Sequence, residues 1–141
     1  MNMTTRWFSF FIALSGLAFI AARCHKDTLH VEPGQTFTLA PGQTAACKSC
    51  NLAFTFTGVG EDSRCPRYTN CVWEGQAVIR LQLNGAAEEA VDIKLRATNN
   101  DGANIARGGH RLSVQTLDPY PESDKKIAPE DYRLTLSLEK E

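Results

Sequence analysis

Hydrophobic and polar residues alternate with a period of two over most of the chain beyond Asp27. Between Cys71 and Leu83 all seven odd positions are uncharged, whereas the even positions include Glu74, Arg80 and two glutamines. Successive side chains of a strand point to opposite faces, so this alternation predicts a strand with one buried face. Similar alternation marks residues 37–39, 52–57, 91–96, 112–116 and 132–138, after a short extended start at Val31.

The number of alternating segments predicts the fold class. They amount to seven or eight strands in one all-β domain, and no segment beyond Asp27 has the period of a helix. We expect a single antiparallel β-sandwich, similar in general architecture to immunoglobulin domains, with a small β-barrel as the alternative. Two long connections are expected at residues 97–109 and 118–131, and connections of this length in a compact domain are usually functional.

The connection after Leu83 can be constrained further. Asn84-Gly85 matches a two-residue type I′ hairpin turn, and such a turn would place Leu83 opposite Ala86. The apolar residues of both flanking strands are at odd positions, however, and a shift of one residue would expose one of the two sets. We therefore predict a connection with an odd number of residues, three or five, starting at Asn84.

The N-terminus has the pattern of a secretory signal. A polar start with one positive charge, Arg6, precedes an almost wholly apolar run of 16 residues at positions 7–22, shorter than the roughly 20 residues that a membrane span needs. We expect a signal peptide over residues 1–23, a tether and the start of the domain over residues 24–34, and the sandwich over residues 35–141.

Cys24 suggests that the exported protein carries a lipid. The stretch from Ala21 to Cys24 resembles a lipoprotein box, apart from the charged Arg23 before the cysteine, and the charged residues 25–27 resemble those of Bacteroidetes-type surface lipoproteins. The total of five cysteines is odd, and assigning Cys24 to a thioether leaves four. We expect a membrane-anchored lipoprotein, periplasmic or at the cell surface. The alternative is cleavage after Ala22, which would release a soluble periplasmic or secreted protein.

The other cysteines are Cys47, Cys50, Cys65 and Cys71. In an exported protein they are expected to form two disulfides, for which three pairings exist. We favour Cys65–Cys71, which closes a compact loop, and less firmly Cys47–Cys50. A redox Cys-x-x-Cys would need a helix after Cys50, where the pattern predicts a strand. A zinc site is disfavoured because five residues separate Cys65 from Cys71.

The segments 62–66 (DSRCP) and 71–77 (CVWEGQA) form a D-S-R-C-P-x4-C-x-W-x-G-x-A pattern. This pattern resembles a family of small exported bacterial proteins, often described only as lipoproteins, and a looser similarity covers most of the mature chain. The resemblance implies export, a β-rich domain and a local Cys65–Cys71 bridge, but no activity.

The loop that contains this motif holds the candidate binding residues. Arg64 could brace the loop through an ion pair with Asp62 or Glu74. Alternatively, Arg64, Arg67 and Tyr68 could form an exposed binding loop.

The strand predicted from Cys71 onward has two further consequences. It places Trp73 on the same face as Cys71, where the indole would cover the Cys65–Cys71 bridge. Gly75, on that face as well, would leave room for a neighbouring element to approach.

Charge and motifs disfavour several function classes. The net charge is −1, and without Arg6 and Arg23 the 13 basic residues that remain face 16 acidic ones, giving −3, so we expect no nucleic-acid partner. A Ser-His-Asp hydrolase built around His110 would need a nucleophile, but the sequence contains no nucleophile motif such as G-x-S-x-G. The segment 99–102 lacks the spaced carboxylates of a calcium loop.

We therefore expect a protein without cofactor, metal or catalytic residues that has a binding or structural role. Its partners would be the membrane, through Cys24, and a protein or glycan that contacts loops 60–70, 97–109 and 118–131. Two alternatives remain: a protease inhibitor that presents sandwich loops, and a small periplasmic hydrolase or redox enzyme.

Overall fold

The computed structural model describes residues 27–84, 89–96, 103–122 and 125–141, and within these ranges it contains nine strands. They are β1 (Thr28–His30), β2 (Gln35–Leu39), β3 (Thr44–Cys47), β4 (Leu52–Asp62), β5 (Gln76–Asn84), β6 (Glu89–Arg96), β7 (Asn104–Arg107), β8 (His110–Asp118) and β9 (Arg133–Lys140). One sheet has the order β1-β3-β4-β5-β6 and the other the order β2-β9-β8-β7. The predicted all-β sandwich is confirmed. Pro129–Asp131 forms the only helical turn in the described ranges, a single 3-10 turn.

The core lies between the two sheets and is built from alternate residues of the central strands. In β5 the residues at odd positions from Ala77 to Leu83 are buried, and in β9 the three leucines at positions 134, 136 and 138 are buried completely. Phe54 and Phe56 of β4 fill the space between them. The period-two pattern thus marks the buried face of these strands correctly.

The register between β5 and β6 confirms the predicted odd connection. Leu83 is opposite Glu89, and Ile79 is opposite Ile93, so the five residues 84–88 separate the paired positions. The apolar residues of both strands consequently face the same side of the sheet. The turn type proposed for Asn84-Gly85 depends on Gly85, which lies outside the described residues.

Two strands were not predicted. β7 lies within the segment 97–109 that was expected to be a loop, and it forms a hairpin with β8 through Gly108 and Gly109, whose φ angles are 59° and 72°. Both residues of a type I′ turn need positive φ, which glycine adopts without steric cost. β3 escaped prediction because its sequence, Thr-Ala-Ala-Cys, has little contrast between its two faces.

The strand predicted from Cys71 to Leu83 is wrong over its first five residues, because β5 begins only at Gln76. Gly75 has a φ of 72°, which interrupts the extended backbone between Trp73 and the strand. Cys71 and Trp73 therefore do not share a strand face. Trp73 is 60% exposed, and the shared strand face on which the predicted packing of the indole over the disulfide depended is absent.

The expected close approach at Gly75 is confirmed. Backbone hydrogen bonds from Ser63 N to Gln76 O (2.8 Å) and from Cys65 N to Glu74 O (2.9 Å) continue the contact between the two chain segments beyond β4 and β5. A Cβ atom at Gly75 would lie 1.8 Å from the carbonyl oxygen of Ser63. Only glycine allows the segments to meet at this separation.

Gly75 and Gly109 form a matched pair for a stability test, since both have a φ of 72° but nothing lies within 4 Å of a Cβ built at Gly109. Both alanine variants are expected to lose about 1–2 kcal/mol because of the left-handed backbone. Gly75→Ala is expected to lose about 1–3 kcal/mol more, because the Ser63 backbone must move. Equilibrium unfolding in urea measures both losses, and equal losses would contradict the close approach.

Candidate functional site

The end of the sandwich at which β4 and β8 finish contains a buried ion pair. Asp62 is the last residue of β4, and Arg64 follows two positions later with only 4% of its surface exposed. Arg64 Nε donates to Asp62 Oδ1 (2.8 Å) and Nη2 donates to Oδ2 (2.7 Å). This bidentate geometry uses the planar fork of the guanidinium and confirms the predicted bracing of the loop by an arginine–carboxylate pair.

The guanidinium of Arg64 also binds the segment that follows β8. Nη1 donates to the carbonyl oxygen of Leu117 (2.7 Å) and Nη2 to that of Pro119 (3.2 Å). Asp62 lies in the five-stranded sheet and Leu117 in the four-stranded sheet. One side chain therefore joins the two sheets of the sandwich at this end.

Two tyrosines complete the arrangement. Tyr132 donates its hydroxyl to Asp62 Oδ2 (3.0 Å), and Tyr120 donates its hydroxyl to the carbonyl oxygen of Cys65 (2.9 Å). The guanidinium carbon of Arg64 lies 4.9 Å from the centroid of the Tyr120 ring, within the range of a cation–π contact. We refer to Asp62, Arg64, Tyr120 and Tyr132 as the Arg64 clamp, and to this end of the molecule as the Asp62 end.

The environment of Tyr132 favours its neutral form. Burial, followed by the charge of Asp62 and the hydrogen bond to it, raises the pKa of Tyr132 from 10.0 to about 12, although Arg64 acts in the opposite direction. A phenolate at this position would face a buried carboxylate. The hydroxyl therefore acts as a permanent donor to Asp62 at neutral pH.

Both favoured disulfide pairings are confirmed. Cys65 and Cys71 are bridged with their Cα atoms 6.0 Å apart, and Cys47 and Cys50 with theirs 5.3 Å apart. The second bridge lies at the opposite end of the sandwich, in the turn before β4. No helix follows Cys50, so the feature that a thioredoxin-like redox site requires is missing there.

The Cys65–Cys71 loop is held against the segment after β8. Arg67 N donates to the carbonyl oxygen of Pro121 (3.0 Å), and the Arg67 side chain lies 5.4 Å from the centroid of the Tyr120 ring and 4.0 Å from a carboxylate oxygen of Glu122. The disulfide closes the loop from within, and these contacts attach it to the body. The loop is therefore closed by its own disulfide and is also held against the rest of the domain.

Three large apolar side chains protrude from this fixed loop and the residues that follow it. Tyr68 and Val72 are fully exposed, and Trp73 is 60% exposed. No other large hydrophobic side chain is exposed in the parts of the chain that the structure describes. We refer to Tyr68, Val72 and Trp73 as the apolar tip. Clustered exposed apolar side chains typically mark an interaction site.

The structure separates the three residues of the predicted binding loop. The assignment of Arg64 to an exposed binding loop is wrong, because Arg64 is buried and its guanidinium binds Asp62 and the carbonyl oxygens of Leu117 and Pro119. Arg67 and Tyr68 are exposed, the Arg67 side chain to 55%. Val72 and Trp73 were missed as exposed residues, although Gly75 after them could have indicated that the strand does not extend back to Cys71.

Two open grooves of about 480 and 590 Å³ lie beside the clamp, and residues 125–127 line both of them. Their sizes fall in the range of small-molecule sites. The first is lined in part by Arg64, Asp62 and Tyr132, whose polar atoms are already bound to one another. Among the described residues, the one buried side-chain atom without a hydrogen-bond partner is Asn84 Oδ1, which lines neither groove.

The histidine considered for a hydrolase, His110, is the first residue of β8. His110 Nδ1 lies 2.9 Å from the carbonyl oxygen of Gly108. The space beside the imidazole is lined mainly by core leucines, Phe54 and Ile105, and holds no volume for a water molecule. Across the described ranges, no group of three or more histidine, cysteine or carboxylate side chains is placed to bind a metal ion. Cys24 and the segment 99–102 lie outside those ranges.

Comparisons with protein-family models, with curated proteins and with solved structures found no match to this chain. In the portion that the structure describes, no helix has the length and apolar character needed to cross a membrane.

Arg64→Lys tests the role of the clamp, with Arg67→Lys as the matched control. A lysine keeps the charge but cannot bind both oxygens of Asp62 and two carbonyl groups, and each hydrogen bond to a charged group contributes about 1.5–3 kcal/mol. We expect Arg64→Lys to lower the free energy of unfolding by at least about 2 kcal/mol. The exposed pair at Arg67 should change it by less than about 1 kcal/mol. Similar losses in urea unfolding would show that the clamp does not brace this end.

The raised pKa of Tyr132 predicts a dependence of stability on alkaline pH. Between 10.0 and about 12 the unfolded chain releases the phenolic proton while the folded protein retains it. The unfolded state then binds fewer protons, so stability falls as the pH rises through this window. Tyr132→Phe should be less stable at neutral pH but should lose this part of the alkaline decline. Denaturant unfolding across this pH window measures the stability of both proteins, and phenolate absorbance gives a second readout. An equal loss of stability in the two proteins would contradict the raised pKa of Tyr132.

Proposed function

We propose that this chain is an exported, lipid-anchored and non-enzymatic β-sandwich protein that binds its partner through the Asp62 end. The observation that carries the proposal is the apolar tip, which holds every exposed large hydrophobic side chain of the described residues. A disulfide, the Arg64 clamp and the contact of Arg67 with Pro121 hold the loop in one conformation. A preorganised loop loses little conformational entropy on binding, which favours affinity.

The chemistry of the chain supports a binding role over catalysis. The polar groups of the Arg64 clamp are bound to one another or to backbone carbonyls, so they are not poised to exchange protons with a substrate. His110 Nδ1 lies beside the carbonyl oxygen of Gly108, and the space next to the ring is lined by apolar side chains and Arg107. Neither arrangement has the nucleophile, base and orienting group that a hydrolase needs.

The loop geometry also bears on the protease-inhibitor hypothesis. An inhibitory loop that binds a protease as a substrate does must present an extended backbone around the exposed residue. Tyr68, a fully exposed residue of the closed loop, has a φ of 64°, which is left-handed and turns the chain. We therefore do not adopt this hypothesis, which was suggested by the ability of sandwich domains to present loops to an active-site cleft.

Export and anchoring are supported by the cysteines. The four cysteines of the described residues form two disulfides, which persist in oxidising compartments. Cys24, the fifth, has no partner left among them and follows an apolar segment typical of a signal peptide. A thioether to a lipid at Cys24 accounts for the odd number.

Intact-mass measurement on protein purified from bacterial membranes tests the anchor. We expect a mature chain that begins at Cys24, carries the added mass of a diacylglyceryl group, and exposes four alkylatable thiols only after reduction. Cys24→Ser should lack the lipid mass, while both disulfides should still form. A mature chain that begins at Arg23 without added mass would contradict the anchor, and thiols that react before reduction would contradict the disulfides.

A further inference from the structure

The strand pairing shows at which end of the sandwich the N-terminal segment enters. Thr28 of β1 is opposite Thr44 of β3, which is opposite Thr55 of β4. β1 is parallel to β3, and β3 is antiparallel to β4, so β1 and β4 run in opposite directions. The chain consequently enters β1 from the direction in which β4 runs toward Asp62, the end that carries the apolar tip.

The distance from Thr28 to a lipid on Cys24 is limited by covalent geometry. Thr28 lies four positions after Cys24 in the chain. Four steps of fully extended chain span at most about 14 Å. Thr55 and Asp62 are paired with residues of β5 that are five positions apart, or about 17 Å along the strand. A fully extended tether along the strand direction therefore ends short of the level of Asp62.

The loop that carries the apolar tip begins beyond the level that the tether reaches. Backbone pairing continues past Asp62 to the hydrogen bond between Cys65 N and Glu74 O, and the tip residues lie in the connection between these two positions. A lipid on Cys24 holds that residue at the bilayer surface, so the domain cannot stand clear of the membrane. Which of its surfaces meets the bilayer then depends on where apolar side chains are exposed.

The chemistry of the tip fits the interface of a lipid bilayer. Tryptophan and tyrosine favour this region because their rings are apolar at one end and polar at the other. Between Cys65 and Trp73 the only charged residue is Arg67, whose charge is offset by Glu122 at 4.0 Å. Insertion of the tip therefore buries no carboxylate of this segment and needs no anionic lipid.

We infer that Tyr68, Val72 and Trp73 insert into the membrane interface, as a second contact beside the lipid on Cys24, and hold the sandwich upright on its Asp62 end. This inference rests on the lipid anchor of the proposed function, and it identifies the partner of the apolar tip as the bilayer surface. A protein or glycan partner for the tip is the competing outcome.

Trp73 provides the measurement, because the other of the two tryptophans, Trp7, lies in the expected signal peptide. The full lipidated protein is placed in vesicles of zwitterionic phosphatidylcholine, with or without bromine atoms on the acyl chains. We expect Trp73 emission to be quenched in the brominated vesicles and shifted to shorter wavelength, with little dependence on salt. Intact mass of the same sample reports whether Cys24 carries lipid.

Two variants control for simple proximity. Tyr68→Asn with Val72→Ser makes the tip polar while keeping Trp73 as the reporter, and asparagine accepts the positive φ of position 68. Both side chains are fully exposed, so folding should be unaffected, and quenching should be lost. Trp73→Phe with Lys48→Trp moves the reporter to the exposed turn at the opposite end, where no quenching is expected.

Each outcome has a distinct meaning. Acylated protein without quenching of Trp73, quenching that persists in the polar variant, or equal quenching at position 48 would overturn the inference while the anchor stands. If the acylated protein shows no quenching of Trp73, the partner of the apolar tip would be a protein or a glycan. Absence of lipid on Cys24 would refute the anchor itself, and the inference would fall with it.

Discussion

The buried ion pair between Asp62 and Arg64 is the interaction on which the Asp62 end depends. The guanidinium binds both oxygens of the carboxylate and the carbonyl oxygens of Leu117 and Pro119, so one side chain spans both sheets. A charge this deeply buried is stable only when its partners are all present. Arg64 therefore joins the connection between β4 and β5, in which it lies, to the start of the connection between β8 and β9.

The Arg64 clamp, together with constraints within the Cys65–Cys71 loop, explains how a small domain can keep an apolar tip in water. Exposed Trp73 and Val72 contribute nothing to the core, and a free loop would bury them by folding back onto the body. The Cys65–Cys71 bridge, the Tyr120 hydroxyl on the Cys65 carbonyl and the left-handed backbone at Tyr68 oppose that collapse. The stability of the interior thus maintains a surface that is suited to binding.

The two ends of the sandwich differ in construction. At one end the strands are joined by tight connections such as Gly108-Gly109, and the C-terminal Glu141 donates its backbone N–H to the Gly109 carbonyl. At the other end the chain enters β1, the connections are long, and the apolar tip protrudes. This polarity places the start of β1 and the apolar tip at the same end, so the proposed lipid on Cys24 would give the domain a defined orientation.

Properties that depend on neighbouring residues could be predicted from the sequence. Alternation determined the sandwich, the odd positions on both sides of Leu83 determined an odd connection, and short cysteine spacing favoured both bridges. The strands β3 and β7 escaped because they are four residues long and their faces differ little in hydrophobicity. Only the tertiary structure decided that Arg64 is buried and Trp73 exposed, because the carbonyl groups that bind Arg64 are more than 50 positions away in the chain. Local periodicity carries no information about which distant segments meet.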